Sequence, residues 1–284
     1  MGDVLLRKGA LGDVVLLGSV TAAAAGPVTV VTDRRWLSLV ARLKGVDRAV
    51  PWPVSAEGLP PGRVIDLQRS VQTLRWPAAR RLRKHSLRRR LHPRFGGVAA
   101  RPTVPEIYAR AVGVEPAPPP WLGLPRVARD TLVLAPGAAW APKRWSVSGF
   151  AEVGREWSGP VAVLGGPGEG LLVNEVVARI PGAIGVAEHG FGQTLEVLAR
   201  ARVAVAGDTG LMHLAGAAGV PVVALFGPTH PADGFWVYPG EVVQRERWCR
   251  PCTLHRISSC PLGHGRCMRI APERVVEAVL RCAG

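Results

Sequence analysis

The sequence predicts an α/β protein made of two open parallel sheets, one in each half of the chain. Three observations predict it. Short apolar runs of strand length alternate with helical stretches throughout. The alternation stops at Glu115-Pro116-Ala117-Pro118-Pro119-Pro120 and restarts after it. In each half a Gly-Asp pair, Gly12-Asp13 and Gly207-Asp208, follows a strand and opens a helix. Strands separated by helices pair in parallel through right-handed crossovers.

In chain order, Val4-Leu5-Leu6 reads as the first strand, and Lys8-Gly9-Ala10-Leu11-Gly12 as a tight loop. A helix is expected from Asp13 to Ala25, a strand over Val28–Val31, and a helix over Arg34–Leu43. Val64-Ile65 reads as a strand running into Asp66-Leu67-Gln68, and Thr103–Val112 as the last helix of this half. Four prolines between Pro116 and Pro120 exclude an element interior, so this stretch is a linker. Strands are then expected at Thr131–Leu134, Val161–Leu164, Ala183–Val186, Val203–Ala206 and Val222–Leu225, with helices between them. Pro272–Cys282 reads as a closing helix with proline in its first turn. The expected division is 1–125, 126–271 and a terminal helix 272–284, which suits a length of 284 residues.

Charge separates the halves. The whole chain carries a formal +15, and residues 1–125 hold 20 Lys/Arg against 8 Asp/Glu. Between Asp66 and Glu106 there is no acidic residue and there are eleven basic ones, among them Arg80-Arg81-Leu82-Arg83-Lys84 and Arg88-Arg89-Arg90. Such a surface suits an anionic partner: a phosphorylated substrate, a lipid headgroup layer or a nucleic acid. The nucleic-acid reading lacks interleaved aromatics and any recognised module. Arg7 and Lys8 ahead of an apolar run imitate a signal peptide, but Asp13 interrupts the run. Gly26-Pro27 likewise breaks the uncharged stretch Val14–Thr32, so no membrane span is expected there. A cytoplasmic protein is expected, peripheral at most on the membrane face.

Cys249, Cys252, Cys260 and Cys267 form a C-x2-C-x7-C-x6-C series that includes His255 and His264. The first pair has the spacing of a structural zinc site and the later spacings are irregular, so two readings stand: zinc ligands, or thiols that are reduced or partly disulfide-bonded. No catalytic metal is expected. Cys282 reads as a small hydrophobe on a helix face.

The most informative stretch runs from Ala206-Gly207-Asp208-Thr209-Gly210 through His213 to Phe226-Gly227-Pro228-Thr229. A strand ends at Ala206, Asp208 and Thr209 are good N-cap types, and a small-residue helix follows. Its first amides and dipole favour a phosphate. His213 lies toward the same end of that helix, and Thr229 adds a hydroxyl after the next strand. Together with Lys8-Gly9-Ala10-Leu11-Gly12-Asp13-Val14-Val15, Val64-Ile65-Asp66-Leu67-Gln68-Arg69-Ser70 and Pro136-Gly137-Ala138-Ala139-Trp140-Ala141-Pro142-Lys143-Arg144-Trp145, this segment resembles glycosyltransferase family 9, the ADP-heptose:lipopolysaccharide heptosyltransferases.

The resemblance implies a GT-B fold: two Rossmann-like domains with parallel sheets facing across a cleft, the acceptor domain N-terminal and the donor domain C-terminal. It implies that Asp13 is the general base, that Lys143 binds donor phosphate, and that Asp208, Thr209 and Gly210 line the donor pocket with His213 and Thr229 beside them. Gln68 and Arg69 fall where an acceptor would lie. The implied reaction is inverting transfer of heptose from ADP-heptose to an acidic, lipopolysaccharide-core-type glycolipid at the inner leaflet.

The chemistry agrees with this. A departing nucleoside diphosphate needs positive potential, which many transferases obtain from a cation held by Asp-x-Asp. No Asp-x-Asp occurs in this chain. Lys143 and the helix start at Thr209 supply the potential instead, so no cofactor is required. Trp140 and Trp145 beside Lys143 suit either stacking on a ligand or packing. Two other readings remain: a transferase of the same fold with another nucleotide sugar or acceptor, and a non-catalytic nucleic-acid or membrane-surface binding protein. A dinucleotide oxidoreductase is disfavoured because no Gly-x-Gly-x-x-Gly follows the first strand, and an NTPase because Gly-x4-Gly-Lys-Ser/Thr is absent.

Overall fold

The structure is a computed structural model that describes residues 2–68, 70–74, 80–81, 101–125, 127–188, 190–235, 237–253 and 256–284. Arg69, His255 and the basic residues from Arg83 to Arg90 lie outside the described residues.

The strands form two sheets. The first contains β1 (Gly2–Leu6), β2 (Val28–Thr32), β3 (Val46–Pro51), β4 (Gly62–Asp66) and β5 (Arg80–Arg81), in the order β3-β2-β1-β4-β5. The second contains β6 (Thr131–Ala135), β7 (Val161–Leu164), β8 (Ile184–Val186), β9 (Ala201–Gly207), β10 (Val222–Phe226) and β11 (Gly240–Gln244), in the order β11-β10-β9-β6-β7-β8. Every described strand pair is parallel. The central strands are buried on both faces, which explains their unbroken apolar runs.

Alternation of side chains divides the core. Leu5, Val28 and Val30 join Val133, Ala135, Ala204, Ala206 and Ala224 in one cluster that spans both halves. Leu132, Leu134, Val203, Val205, Val223 and Leu225 face the other way. They meet Phe150, Val173 and Val176, and also Val275, Ala278 and Val279 of the helix Pro272–Ala283. That terminal helix therefore covers the outer face of the second sheet.

Five elements differ from expectation. The helix expected from Asp13 to Ala25 is two short helices, Leu11–Val15 and Gly18–Thr21. Trp121 lies on Gly18 where they meet: a methyl group there would come 2.5 Å from Trp121 Cβ. The expected helix Arg34–Leu43 is a 3₁₀ turn, Arg34–Trp36, followed by the helix Leu37–Val40. The strands β3, β5 and β11 have no counterpart in the sequence reading, and all three lie at sheet edges.

The proline segment is a fixed strap. Ala117 N donates to Ser19 O at 2.7 Å, whereas Trp121 N and Leu122 N donate to Ala217 O at 2.7 and 2.9 Å. Trp121 is 1% exposed, and its Nε1 donates to Ala117 O at 2.8 Å. The chain thus bonds to both halves within six residues. Trp121→Ala should cost about 3–5 kcal/mol, the usual range for removing a large buried aromatic. A denaturant melt checks this; an unchanged midpoint would show that Trp121 does not hold the halves together.

Candidate functional site

In each sheet the chain reverses direction beside the first strand of that half. β2 and β3 lie on one side of β1 and β4 on the other; β7 and β8 lie on one side of β6 and β9 on the other. Open parallel sheets hold ligands outside the strand carboxyl ends at such reversals. The two crevices are therefore β1/β4 and β6/β9.

At β6/β9, the loop after β6 makes a 3₁₀ turn, Ala141–Lys143, and Lys143 is only 7% exposed. Its Nζ reaches Asp208 Oδ2 at 2.5 Å, just beyond β9. Thr229, after β10, donates from Oγ1 to the same Oδ2 at 3.0 Å. Ends of three adjacent strands are thereby joined through one carboxylate. Thr229 is fully buried, and Phe235 lies 6.0 Å from the ammonium.

Asp208 and Thr209 do not act as side-chain caps. Thr209 is the N-cap residue of the helix Gly210–Ala217, but no side-chain capping bond forms and its buried Oγ1 has no partner among the described residues. No side chain caps the first amides of this helix, and the helix dipole favours an anion there. Sequence reasoning missed Glu169, which follows β7. Its Oε2 accepts from Gly166 N at 2.7 Å, and its carboxylate lies so close over Gly137 that a methyl group there would be 2.0 Å away. An acidic residue beyond the second strand of a βαβ unit is where a Rossmann-like site meets ribose hydroxyls, and that placement was the available signal.

At β1/β4, Asp13 opens the helix after β1 and is ion-paired with Arg7. Arg7 was also missed. Its Nη1 donates to Leu67 O at 2.8 Å, bridging the ends of β1 and β4. Burial opposes its charge, but Tyr108, Asp13 and Asp66 outweigh burial and hold the guanidinium above its ordinary pKa. Tyr108 OH donates to the Asp13 carbonyl at 3.3 Å. Asp13 keeps a third of its side chain exposed, so its carboxylate is both held and accessible. Ala10, just before this helix, has φ 52° and ψ 131°, a backbone strain of about 1–3 kcal/mol held at the crevice.

Gln68 serves the loop: its Oε1 accepts from Lys8 N at 3.2 Å, and its own N donates to Asp66 Oδ1 at 2.9 Å. Lys8 Nζ donates to Gln72 Oε1 and lies 5.1 Å from the ring of Trp52.

The two helix starts meet directly. A methyl on Gly12 would lie 2.7 Å from His213 Cδ2, and one on Gly210 would lie 2.8 Å from Leu11 Cβ. His213 therefore faces Gly12 of the other half. Lys143, Asp208 and Thr229 are in direct contact, Thr209 and Gly210 adjoin them, and Asp13 belongs to the facing crevice. Trp145 is core, packed at 5.0 Å on Phe150 with Nε1 donating to Ile270 O at 3.1 Å; Trp140 is half-buried.

Two Rossmann-like units with apposed crevices define the GT-B class of glycosyltransferases, and solved structures share this fold. The glycosyl transferase family 9 protein of Veillonella parvula superposes with a TM-score of 0.71 at 20% identity, over 99% of this chain and 97% of that one. The E. coli ADP-heptose lps heptosyltransferase II superposes with a TM-score of 0.70 at 19% identity, over 100% and 98%. Residues 108–256 match the family model "Glycosyltransferase family 9 (heptosyltransferase)". The chain belongs to glycosyltransferase family 9. Lipooligosaccharide heptosyltransferase 2 of Campylobacter jejuni is 30% identical over 164 residues, 54% of this chain and 50% of that protein. Lipopolysaccharide heptosyltransferase 1 of Pseudomonas aeruginosa is 35% identical over 105 residues, 35% of this chain and 29% of that protein. The match thus spans half or less of the length of these curated relatives.

No helix among the described residues is long and apolar enough to cross a membrane. Also among the described residues, no group of three or more His, Cys, Asp or Glu is arranged to hold a metal ion. None of the five cysteines is disulfide-bonded. His264 lies between two of them, with Nε2 3.8 Å from Cys249 Sγ and Nδ1 4.0 Å from Cys260 Sγ. Burial, then the neighbouring Cys267, Cys260 and Cys249, push the Cys252 thiol up to about 11. At Cys260 burial acts in the same direction but is outweighed by the backbone N–H groups of Gly265, Leu262, His264 and Gly263, so this thiol lies below its ordinary value. The thiolate is the reactive form, so Cys260 should be alkylated by iodoacetamide at about pH 7.5 well before Cys252. Mass spectrometry of a time course reads the order, and Cys252 reacting first would contradict this electrostatic picture.

Proposed function

We propose that this chain is an inverting, metal-independent glycosyltransferase that moves heptose, or a related sugar, from ADP-heptose to an anionic glycolipid of the lipopolysaccharide-core type. In this reading residues 1–125 bind the acceptor and residues 126–271 bind the donor. The carrying observation is the buried Lys143, paired with Asp208, which Thr229 also bonds, beside helix amides with no side-chain cap. A lysine is rarely buried without a purpose that repays its desolvation, and this one is at the crevice where a diphosphate is expected.

The reaction follows from these positions. The acceptor hydroxyl loses its proton to the Asp13 carboxylate as its oxygen bonds to the anomeric carbon. The bond from that carbon to the phosphate oxygen breaks on the opposite face, and ADP departs with the electron pair. Lys143 and the amides at Thr209 and Gly210 receive the growing charge. Asp13 later releases its proton to water. Arg7 fixes the Asp13 carboxylate, and Glu169 accepts hydrogen bonds from the ribose hydroxyls. His213 and Thr229 complete the donor wall, and Gln68 and Arg69 border the acceptor. The basic surplus of the first half, with no acidic residue between Asp66 and Glu106, suits a phosphorylated acceptor at the cytoplasmic membrane face. One E. coli structural neighbour, the glycosyltransferase TibC, contains iron, and that iron is a property of TibC.

Asp13→Asn should lower kcat by about 10²–10⁴ while ADP binding stays near that of the parent, as loss of a general base requires. Lys143→Ala should weaken ADP about 10- to 100-fold, the value of a charge-assisted hydrogen bond. Transfer should persist in EDTA. A thermal-shift series with ADP, GDP and UDP tests the base: ADP should stabilise most. Stabilisation by UDP or GDP instead would reassign the donor, stabilisation by none would remove the donor site, and a strict magnesium requirement would end metal independence.

A further inference from the structure

Arg250 lies outside both crevices, in the segment after β11, with its side chain 1% exposed. A buried guanidinium needs partners for its five N–H groups and compensation for its charge. Its Nε donates to Gly227 O at 2.8 Å, and its Nη2 to Thr229 O at 2.9 Å. Nη2 also donates to Gln244 Oε1 at 3.0 Å, and Nη1 reaches Glu246 Oε1 at 3.4 Å. Gln244 Nε2 donates to the same Glu246 oxygen at 2.7 Å, so the end of β11 holds the guanidinium from behind. Pro228 O, between the two gripped carbonyls, accepts from Cys252 N at 3.0 Å and Thr253 N at 3.2 Å.

Three consecutive carbonyls of the loop after β10 are thus tied to Arg250–Thr253, two of them by one side chain. The same loop carries the Thr229 hydroxyl that donates to Asp208, and Asp208 holds Lys143. We propose that Arg250 is a positioning residue of the donor site: by gripping Gly227 O and Thr229 O it sets the Thr229 hydroxyl on Asp208 and, through it, the aim of the Lys143 ammonium. This inference rests on the donor reading above. The fork of the guanidinium is what this grip requires. It spans two carbonyls two residues apart while still bonded to Gln244, and a lysine with a single nitrogen has no such reach.

The test is calorimetric titration of the full chain with ADP. Arg250→Lys should weaken ADP about tenfold, and Thr229→Val by a similar factor. The double variant should be little weaker than the worse single one, because both substitutions break one chain of contacts. Gln244→Ala loosens the guanidinium without deleting it and should weaken ADP about threefold, a readout that survives if Arg250→Lys fails to fold. Folded Arg250→Lys or Gln244→Ala protein with the affinity of the parent would overturn the proposal. So would a double variant whose losses multiply to about a hundredfold, the sign of independent damage. If the parent protein binds no ADP and Lys143→Ala changes nothing, the donor reading falls and this proposal with it. If Lys143→Ala weakens ADP and Arg250→Lys does not, the donor reading stands and only the role of Arg250 falls.

Discussion

Gly12 and Gly210 occupy corresponding places, each at the first turn of the helix that follows a central strand. Each is covered by a side chain from the other half, Gly12 by His213 and Gly210 by Leu11, with no room for a methyl group. This contact sets how closely the two crevices approach. The strap supports it from behind: Trp121 lies on Gly18 of the first half while its backbone N and that of Leu122 bond to Ala217 O of the second. The proposed geometry between a base in one half and a donor in the other rests on this small-residue contact, because a side chain at either glycine would clash with the facing half.

The two crevices are also built alike. In each, a basic residue beyond the central strand reaches toward the strand that enters on its other side. Arg7 bonds to Leu67 O after β4 and pairs with Asp13; Lys143 pairs with Asp208 after β9. The difference lies in exposure. Asp13 remains partly open, whereas Asp208 is closed in by Lys143 and Thr229. An open carboxylate suits exchange of a proton with a substrate, and a closed one suits the orientation of a cation. The same sheet topology thus leaves one carboxylate open and closes the other.

What the sequence revealed follows from burial. Central strands such as Val161–Leu164 and Val222–Phe226 are apolar on both faces, so they stand out as runs. Two of the edge strands do not: Val46–Pro51 carries Asp47 and Arg48, and Gly240–Gln244 carries Glu241, because an edge faces water and is protected by charge. The split of the first long helix was hidden for another reason. The second piece begins at Gly18, against which Trp121 packs; Trp121 is distant in sequence, and local periodicity carries no trace of that contact. The cluster of Lys143, Asp208 and Thr229 was legible because each lies in a loop just after a strand. Arg7 and Arg250 were not, since a single arginine beside many others has no local signature, and only the carbonyls it grips distinguish it.

The pairing of Lys143 with Asp208 changes how positive potential arises in the proposed donor site. A lysine at 7% exposure is costly unless a counter-charge accompanies it, and Asp208 is that counter-charge. The resting pair has no net charge, so the first attraction for a diphosphate falls to the amides ahead of Gly210. A phosphate oxygen that arrives there competes with Asp208 for the same ammonium. As the sugar–phosphate bond breaks, the leaving diphosphate gains negative charge and draws the ammonium more strongly, while Thr229 keeps a hydrogen bond to the carboxylate that is giving it up. In the proposed reaction the contact from Lys143 to phosphate would therefore strengthen as the bond breaks. An interaction stronger in the transition state than in the bound ground state is the kind that accelerates chemistry, and here it comes from making the cation shared rather than free.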